Sequence, residues 1–127
     1  MRIFKTKEFN RLARKERLSD DQLCLAVREM EAGLIDADLG SNLYKKRIAQ
    51  GHRGKRGSFR TLLAYKEGNK IFFLYCFTKS ERENITPGEK LGLKLMSKVL
   101  LNYSDTQLEE AKSVGVLVEI SEGYNDE

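Results

Sequence analysis

Two hydrophobic periods alternate along the chain, helical toward both ends and strand-like in the middle. Phe9, Leu12 and Ala13 fall at helical spacing among Lys7, Arg11, Arg14 and Lys15, and Thr6 stands ahead of them as an N-cap. Leu18 and Ser19 break that run. Ser19-Asp20-Asp21-Gln22 reads as a capping box, the serine oxygen accepting from the amide of Gln22 while Gln22 reaches back. Leu23, Ala26, Val27 and Met30 then recur at i, i+3, i+4 and i+7, a core-facing stripe, and Gly33 closes the helix in a left-handed cap. Beyond it the period shortens. Leu43–Ala49, Ser58–Tyr65 and Lys70–Thr78 predict three strands, with Gly68 and Asn69 supplying positive φ in a hairpin turn between the last two. Ile71 to Phe77 is apolar on both faces and rich in aromatics, which predicts a central strand covered by helices on one side.

Thr86-Pro87-Gly88-Glu89 is the strongest local signal: a capping threonine, proline at the first helical position, and glutamate completing the box. Leu91, Leu95, Val99 and Leu100 are the expected buried stripe of that helix. Ser104-Asp105-Thr106-Gln107 opens a shorter helix that Gly115 ends, and Val116 to Ile120 predicts a last strand. The order α-α-β-β-β-α-α-β describes one α+β domain over residues 1–120. Two N-terminal helices pack on a small antiparallel sheet, C-terminal helices follow, and residues 121–127 form an acidic tail.

Composition narrows the class. A chain of 127 residues, 40% apolar and 33% charged, can bury one real core. No apolar run reaches membrane-spanning length, and the N-terminus lacks the apolar centre of a signal peptide, so a cytoplasmic protein without a membrane partner is expected. Cys24 and Cys76 are far apart and form no Cys-x-x-Cys, which reads as two free thiols in a reducing compartment. A lone His52 cannot be half of a histidine metal site, and neither metal nor cofactor is expected.

The net charge of +4 says less than its distribution. Between Leu39 and Lys66 stand eight basic residues (Lys45, Lys46, Arg47, Arg53, Lys55, Arg56, Arg60, Lys66) and no acid, inside an otherwise acidic frame. A cationic segment flanked by strand patterns is the footprint of a folded surface for a polyanion. Strand alternation puts Lys45 and Arg47 on one face, and Tyr44 and Ile48 on the core side; Lys46 falls on that core side, where only its stem fits. Arg47, Arg60, Lys79 and Arg82 are expected to converge at one end of the sheet, where guanidinium forks would hold phosphate oxygens. Such a cluster suits RNA cleavage by an internal 2′-hydroxyl, whose transition state gathers charge on the phosphate. His52 has the intrinsic pKa of an acid or base and joins the candidates; Lys45, Lys46, Arg53, Lys55 and Arg56 are candidate RNA contacts. Plainer readings stand beside these. The loop at 50–57 also reads as a solvated face, Lys79 and Arg82 as partners of Glu81, Glu83 or Glu89, Tyr65, Phe73 and Tyr75 as core, and Cys76 as a small apolar residue.

These residues resemble the RelE/ParE-like toxins of bacterial type II toxin–antitoxin systems. The likeness rests on Met1-Arg2-Ile3-Phe4-Lys5-Thr6, Gly33 to Gly40, Lys46-Arg47-Ile48-Ala49, Gly54-Lys55-Arg56-Gly57, Phe59-Arg60-Thr61-Leu62 and Lys79 to Ile85, and spans about residues 1–120. It implies two helices on a twisted antiparallel sheet, and a metal-independent mRNA endonuclease that acts on the ribosome and inhibits translation. It also implies a cognate antitoxin, a DNA-binding protein encoded alongside. By the resemblance, Lys45 and Arg47 face RNA, Arg60 stabilises the scissile phosphate, and Lys79-Ser80-Glu81-Arg82 matches a basic element whose first arginine is here Ser80. The family's later tyrosine falls near Thr86, read above as a helix cap. The other classes in view are a non-catalytic toxin directed at another target such as gyrase, and a basic nucleic-acid-binding module.

Overall fold

The computed structural model describes residues 1–49, 58–66 and 70–120. They form β1 (Arg2–Thr6), α1 (Lys7–Lys15), α2 (Asp20–Glu31), β2 (Ala37–Gly40), β3 (Leu43–Ala49), β4 (Ser58–Tyr65), β5 (Lys70–Thr78), α3 (Pro87–Leu101), α4 (Asp105–Ser113) and β6 (Leu117–Ile120). The expected caps are all in place. Thr6, Ser19, Thr86 and Ser104 each accept from an N3 amide, and the last three complete reciprocal capping boxes. Gly33 and Gly115 take φ of +95° and +80° where α2 and α4 end. The hairpin turn at Gly68 and Asn69, the loop holding His52, Arg53, Lys55 and Arg56, and the tail 121–127 lie outside the described residues.

The sheet corrects the expectation of a small, wholly antiparallel one. Six strands run in the order β2-β3-β4-β5-β1-β6, and β1 lies parallel to β5, with Ile3 opposite Ile71 and Phe4 opposite Phe72. The hydrophobic period reveals neither β1 nor β2. β1 is five residues long and buried on both faces, so it shows no alternation, and Lys5 interrupts its apolar run. β2 is a four-residue edge with a register shift beside Gly40.

Helices cover both sides of β5, not one. On the first face Phe9, Leu23, Val27 and Met30 of α1 and α2 meet Ile3, Ile48, Phe59, Leu63, Ile71 and Phe73. On the second, Leu100 and Leu108 of α3 and α4 meet Phe4, Leu43, Leu62, Phe72 and Phe77. Phe73 contacts Phe9 at a ring separation of 5.2 Å, while its neighbour Phe72 stacks on Phe4 at 5.0 Å across the sheet. A strand wedged between two helical layers needs apolar residues at every position, which is why Ile71 to Phe77 has no polar face.

The two layers are fastened differently. Lysines from the sheet pin α2 at both ends: Lys5 Nζ reaches Asp20 at 2.8 Å, and Lys46 Nζ reaches Glu29 at 2.8 Å and the Leu34 carbonyl at 3.1 Å. α3 is held by Leu93, Ser97 and Leu100, with the Ser97 hydroxyl donating to the Ser41 carbonyl at 2.9 Å. The stripe expected to be buried is therefore wrong for three of its four residues: Leu91, Leu95 and Val99 face outward and only Leu100 is inside. Apolar residues occupy most of the circumference of α3, so periodicity does not single out a face. The small Ser97, which fits against the left-handed Ser41-Asn42 turn, decides it.

Candidate functional site

Parity along β3 divides its cations between the faces. Tyr44, Lys46 and Ile48 point toward α2, and Leu43, Lys45 and Arg47 toward the α3 side. Lys46 is only 6% exposed and spent on Glu29 and Leu34, which removes it from the candidate RNA contacts for a physical reason: an ammonium buried this way needs its partner. The alternation that allowed only the lysine stem inside underestimated α2, which supplies a carboxylate for the head.

Lys45 and Arg47 belong to a surface that the register assembles row by row. Arg47 lies opposite Arg60 on β4, and Arg60 opposite Phe77 on β5. The next row is Lys45, Leu62 and Tyr75. Arg82 folds back over both rows from the turn after β5. Its guanidinium sits 5.8 Å from the Phe77 ring centroid and donates to the Tyr75 hydroxyl at 3.3 Å. Its Nε donates to the Asn84 carbonyl at 3.0 Å, and Lys45 Nζ reaches Asn84 Oδ1 at 3.4 Å. Of the four residues expected to converge, Arg47 and Arg60 are cross-strand partners on one face, and Arg82 lies over Phe77, the register partner of Arg60. Lys79 is exposed just beyond the end of β5, at the same end of the sheet as the Phe59–Thr78 pair.

Arg82 and Arg60 sit in different electrostatic surroundings. Glu89 grips Arg82 with two oxygens, at 2.6 and 3.0 Å, and also accepts from the Thr86 amide at 2.7 Å. The strongest helix-start signal in the sequence therefore also anchors Arg82. The guanidinium hydrogen bond holds the Glu89 carboxyl down at about 2, and the pair raises Arg82 still further above its usual range. Arg47 and Arg60 have no such counterpart: among the described residues no ion pair involves either. Cross-strand partners hold their Cβ atoms about 4.5–5.5 Å apart, and like charges so placed repel. A fold that keeps this pair gains from an anion bridging it.

Tyr75 and Asn84 are the members of this surface that sequence reasoning missed. Period-two alternation groups Tyr75 with Phe73, which is core. A register shift opposite the Leu62/Leu63 step places an extra residue, Leu74, between Phe73 and Tyr75, and this turns Tyr75 to the arginine face. Beside Lys45 and Asn84 a cleft of about 310 Å³ opens toward α3, with Lys90 and Lys94 on its wall. Cys76 faces the α2 side, and burial pushes its thiol up to about 12, so it is no nucleophile. Among the described residues no helix is long and apolar enough to cross a membrane, and no group of three or more His, Cys, Asp or Glu could hold a metal ion.

The fold and this face define an α+β protein with one closed sheet surface and one bearing a cross-strand arginine pair that forms no ion pair among the described residues. The family described as the RelE toxin of the RelE / RelB toxin-antitoxin system matches residues 1–120, and the chain belongs to that family: it is the toxin of a toxin–antitoxin module, and its partner is an antitoxin. No curated protein matches the chain.

Proposed function

We propose that this toxin is a metal-independent endoribonuclease that cuts mRNA on the ribosome, with the Arg47–Arg60 row as its phosphate site. The observation that carries this reading is the cross-strand arginine pair, neither guanidinium of which forms an ion pair among the described residues; the nearby Asp36 carboxylate accepts from the Arg47 backbone amide at 2.6 Å. In the reaction the 2′-oxygen bonds to phosphorus as the bond to the 5′-oxygen breaks. The proton of the 2′-hydroxyl leaves, another arrives on the 5′-oxygen, and a 2′,3′-cyclic phosphate and a 5′-hydroxyl result. Charge builds on the non-bridging oxygens, where two forked guanidiniums stabilise it at no cost of reorganisation.

In this reading Lys45, which donates to Asn84, contacts the RNA backbone one row away, and Lys79 extends the path at the strand end. Arg82, fixed by Glu89, positions the Tyr75 hydroxyl, which is the candidate proton donor or acceptor within the described residues. His52 is the competing candidate, and Arg53, Lys55 and Arg56 the competing backbone contacts. The deciding experiment expresses Arg60→Ala and Arg60→Lys in cells and maps mRNA 5′ ends. Cuts inside translated codons by the parent, lost in Arg60→Ala and barely restored by lysine, are expected. A toxic parent that cuts nothing would instead make this a non-catalytic toxin aimed at another target. Growth unharmed by high expression without the antitoxin would leave only the nucleic-acid-binding reading.

A further inference from the structure

The outward side of α3 is built for contact with something beyond this chain. Leu91, Leu95 and Val99 recur every four residues and are 60, 55 and 55% exposed, with Met96 beside them. They are not leftovers of the core, because the inward side already has its own residues in Leu93, Ser97 and Leu100. A helix apolar on two sides buries both, one of them elsewhere. Lys90, Lys94 and Lys98 run along one edge of the stripe at the same four-residue interval. Among the described residues none of the three forms an ion pair, and the one carboxylate of α3, Glu89, is held by Arg82. On the opposite edge Gly92 is exposed in mid-helix, and a Cβ built there meets nothing within 4 Å. Glycine is unfavourable in a helix interior, and what it offers there is close approach of another backbone.

We propose that this face docks the antitoxin through an amphipathic helix. That helix carries apolar residues at three- and four-residue intervals, with a row of Asp or Glu along the edge that meets Lys90, Lys94 and Lys98. The exposed stripe runs about 12 Å, two turns of a partner helix. A second copy of the chain fits poorly. In an antiparallel pairing the lysine row meets the partner's lysine row, and in a parallel one it meets the Gly92 edge, which has no acid. RNA fits poorly too: it satisfies the lysines but not a stripe of leucine and valine, since bases stack on flat aromatic or guanidinium groups. The inference rests on membership in a toxin–antitoxin family and not on RNA cleavage.

The test measures binding of the full-length chain to the antitoxin encoded beside it, with hydrogen exchange on the complex. Protection of α3 in the complex is expected. Leu95→Ser with Val99→Ser should weaken binding at least about tenfold, with the melting temperature of the free chain unchanged. Lys94→Glu with Lys98→Glu should weaken it most at low salt, and changing the facing Asp or Glu of the antitoxin to Lys should restore it. Gly92→Gln raises helix propensity, so weaker binding from a chain that melts higher cannot be misfolding. Unchanged affinity in both double variants would overturn the proposal. So would a charge-reversed chain that binds antitoxin normally but has lost salt-dependent affinity for ribosomes, or a free-chain dimer that Leu95→Ser dissociates. None of these readouts requires the toxin to cut RNA.

Discussion

The two faces of the sheet treat cations in opposite ways. On the α2 side, among the described residues, the two buried lysines each find a carboxylate: Lys5 has Asp20 and Lys46 has Glu29. On the α3 side Arg47 and Arg60 face each other on adjacent strands, and among the described residues neither guanidinium forms an ion pair, the Asp36 carboxylate being taken by the Arg47 backbone amide. One strand, β3, feeds both faces, and the chain neighbours Lys46 and Arg47 part company there. A dense basic segment is therefore not a site in itself. Parity assigns each cation to a face, and the helix lying on that face decides whether the charge becomes structure or remains for a ligand. The helices differ in the same sense. α2 turns its apolar stripe into the core, whereas α3 keeps Leu91, Leu95 and Val99 in solvent.

The largest effect should come from the unpaired row. Arg60→Ala is expected to reduce mRNA cleavage by about 10²–10³, on the order of 3–4 kcal/mol of barrier. Removing one of two opposed like charges should leave stability equal or slightly higher. In-cell 5′-end mapping alongside thermal melting checks both halves. A large loss of stability would place Arg60 with the structural cations and erase the contrast between the faces.

Lys46 should behave in the reverse way. Lys46→Ala leaves Glu29 and the Leu34 carbonyl without their donor and should destabilise the fold by about 1–3 kcal/mol, the lower end being favoured because Glu29 is itself partly in water. Its effect on the salt dependence of ribosome binding should be nil, whereas Lys45→Ala should reduce the slope by about one. Denaturant titration and binding at several salt concentrations separate the two lysines. Equal slopes for the two variants would mean that β3 parity does not sort RNA contacts.

How much of this was legible beforehand follows from the range of each interaction. Caps at Thr6, Ser19, Thr86 and Ser104 are bonds across three residues, and the sequence shows them complete. β1 was hidden because its identity depends on β5, some seventy residues away, and because Lys5 is neutralised by a residue in another element. The pairing of Arg47 with Arg60 could be anticipated from strand order and alternation. Tyr75 could not, since one extra residue in β5 reverses its face and no local signal announces the bulge. The buried stripe of α3 failed for a third reason: apolar residues on two sides give the same periodicity whichever side faces inward.

Acid should loosen the α3–α4 side in a definite window. Glu119 on β6 accepts two bonds from Arg2, each 2.8 Å, and one of 2.7 Å from Lys112, tying β1, β6 and α4 together. Hydrogen bonding to Arg2 foremost lowers its carboxyl from 4.5 to about 2. The unfolded chain thus takes up this proton first as pH falls. The stabilisation is complete above about 4.5 and drains away toward 2, on the order of 1 kcal/mol after solvent screening. Glu89, held down by Arg82, adds to the same window in the same direction. Denaturation midpoints measured across this range should fall for the parent and fall less steeply for Glu119→Gln. Identical pH profiles would show that the Arg2 cluster is too well solvated to contribute.

The smallest expected effect separates the two helices most directly. α2 contains no glycine, as befits a helix optimised for its own sheet, while α3 carries Gly92 in its exposed middle. In the free chain that glycine is a pure cost: it loosens the helix in the unfolded ensemble and contacts nothing in the folded one. Gly92→Ala should therefore raise the stability of the free chain by about 0.5–1 kcal/mol. Gly40→Ala supplies the control of opposite sign. Gly40 has a φ of +93°, and an added Cβ would approach Lys94 Nζ to 3.3 Å, so the same substitution there strains the backbone and should destabilise. Thermal melts of the two variants against the parent check the pair. If Gly92→Ala melted lower, the outward side of α3 would already be in use within the free chain, and the contrast between a helix finished by its own sheet and one left open for a partner would disappear.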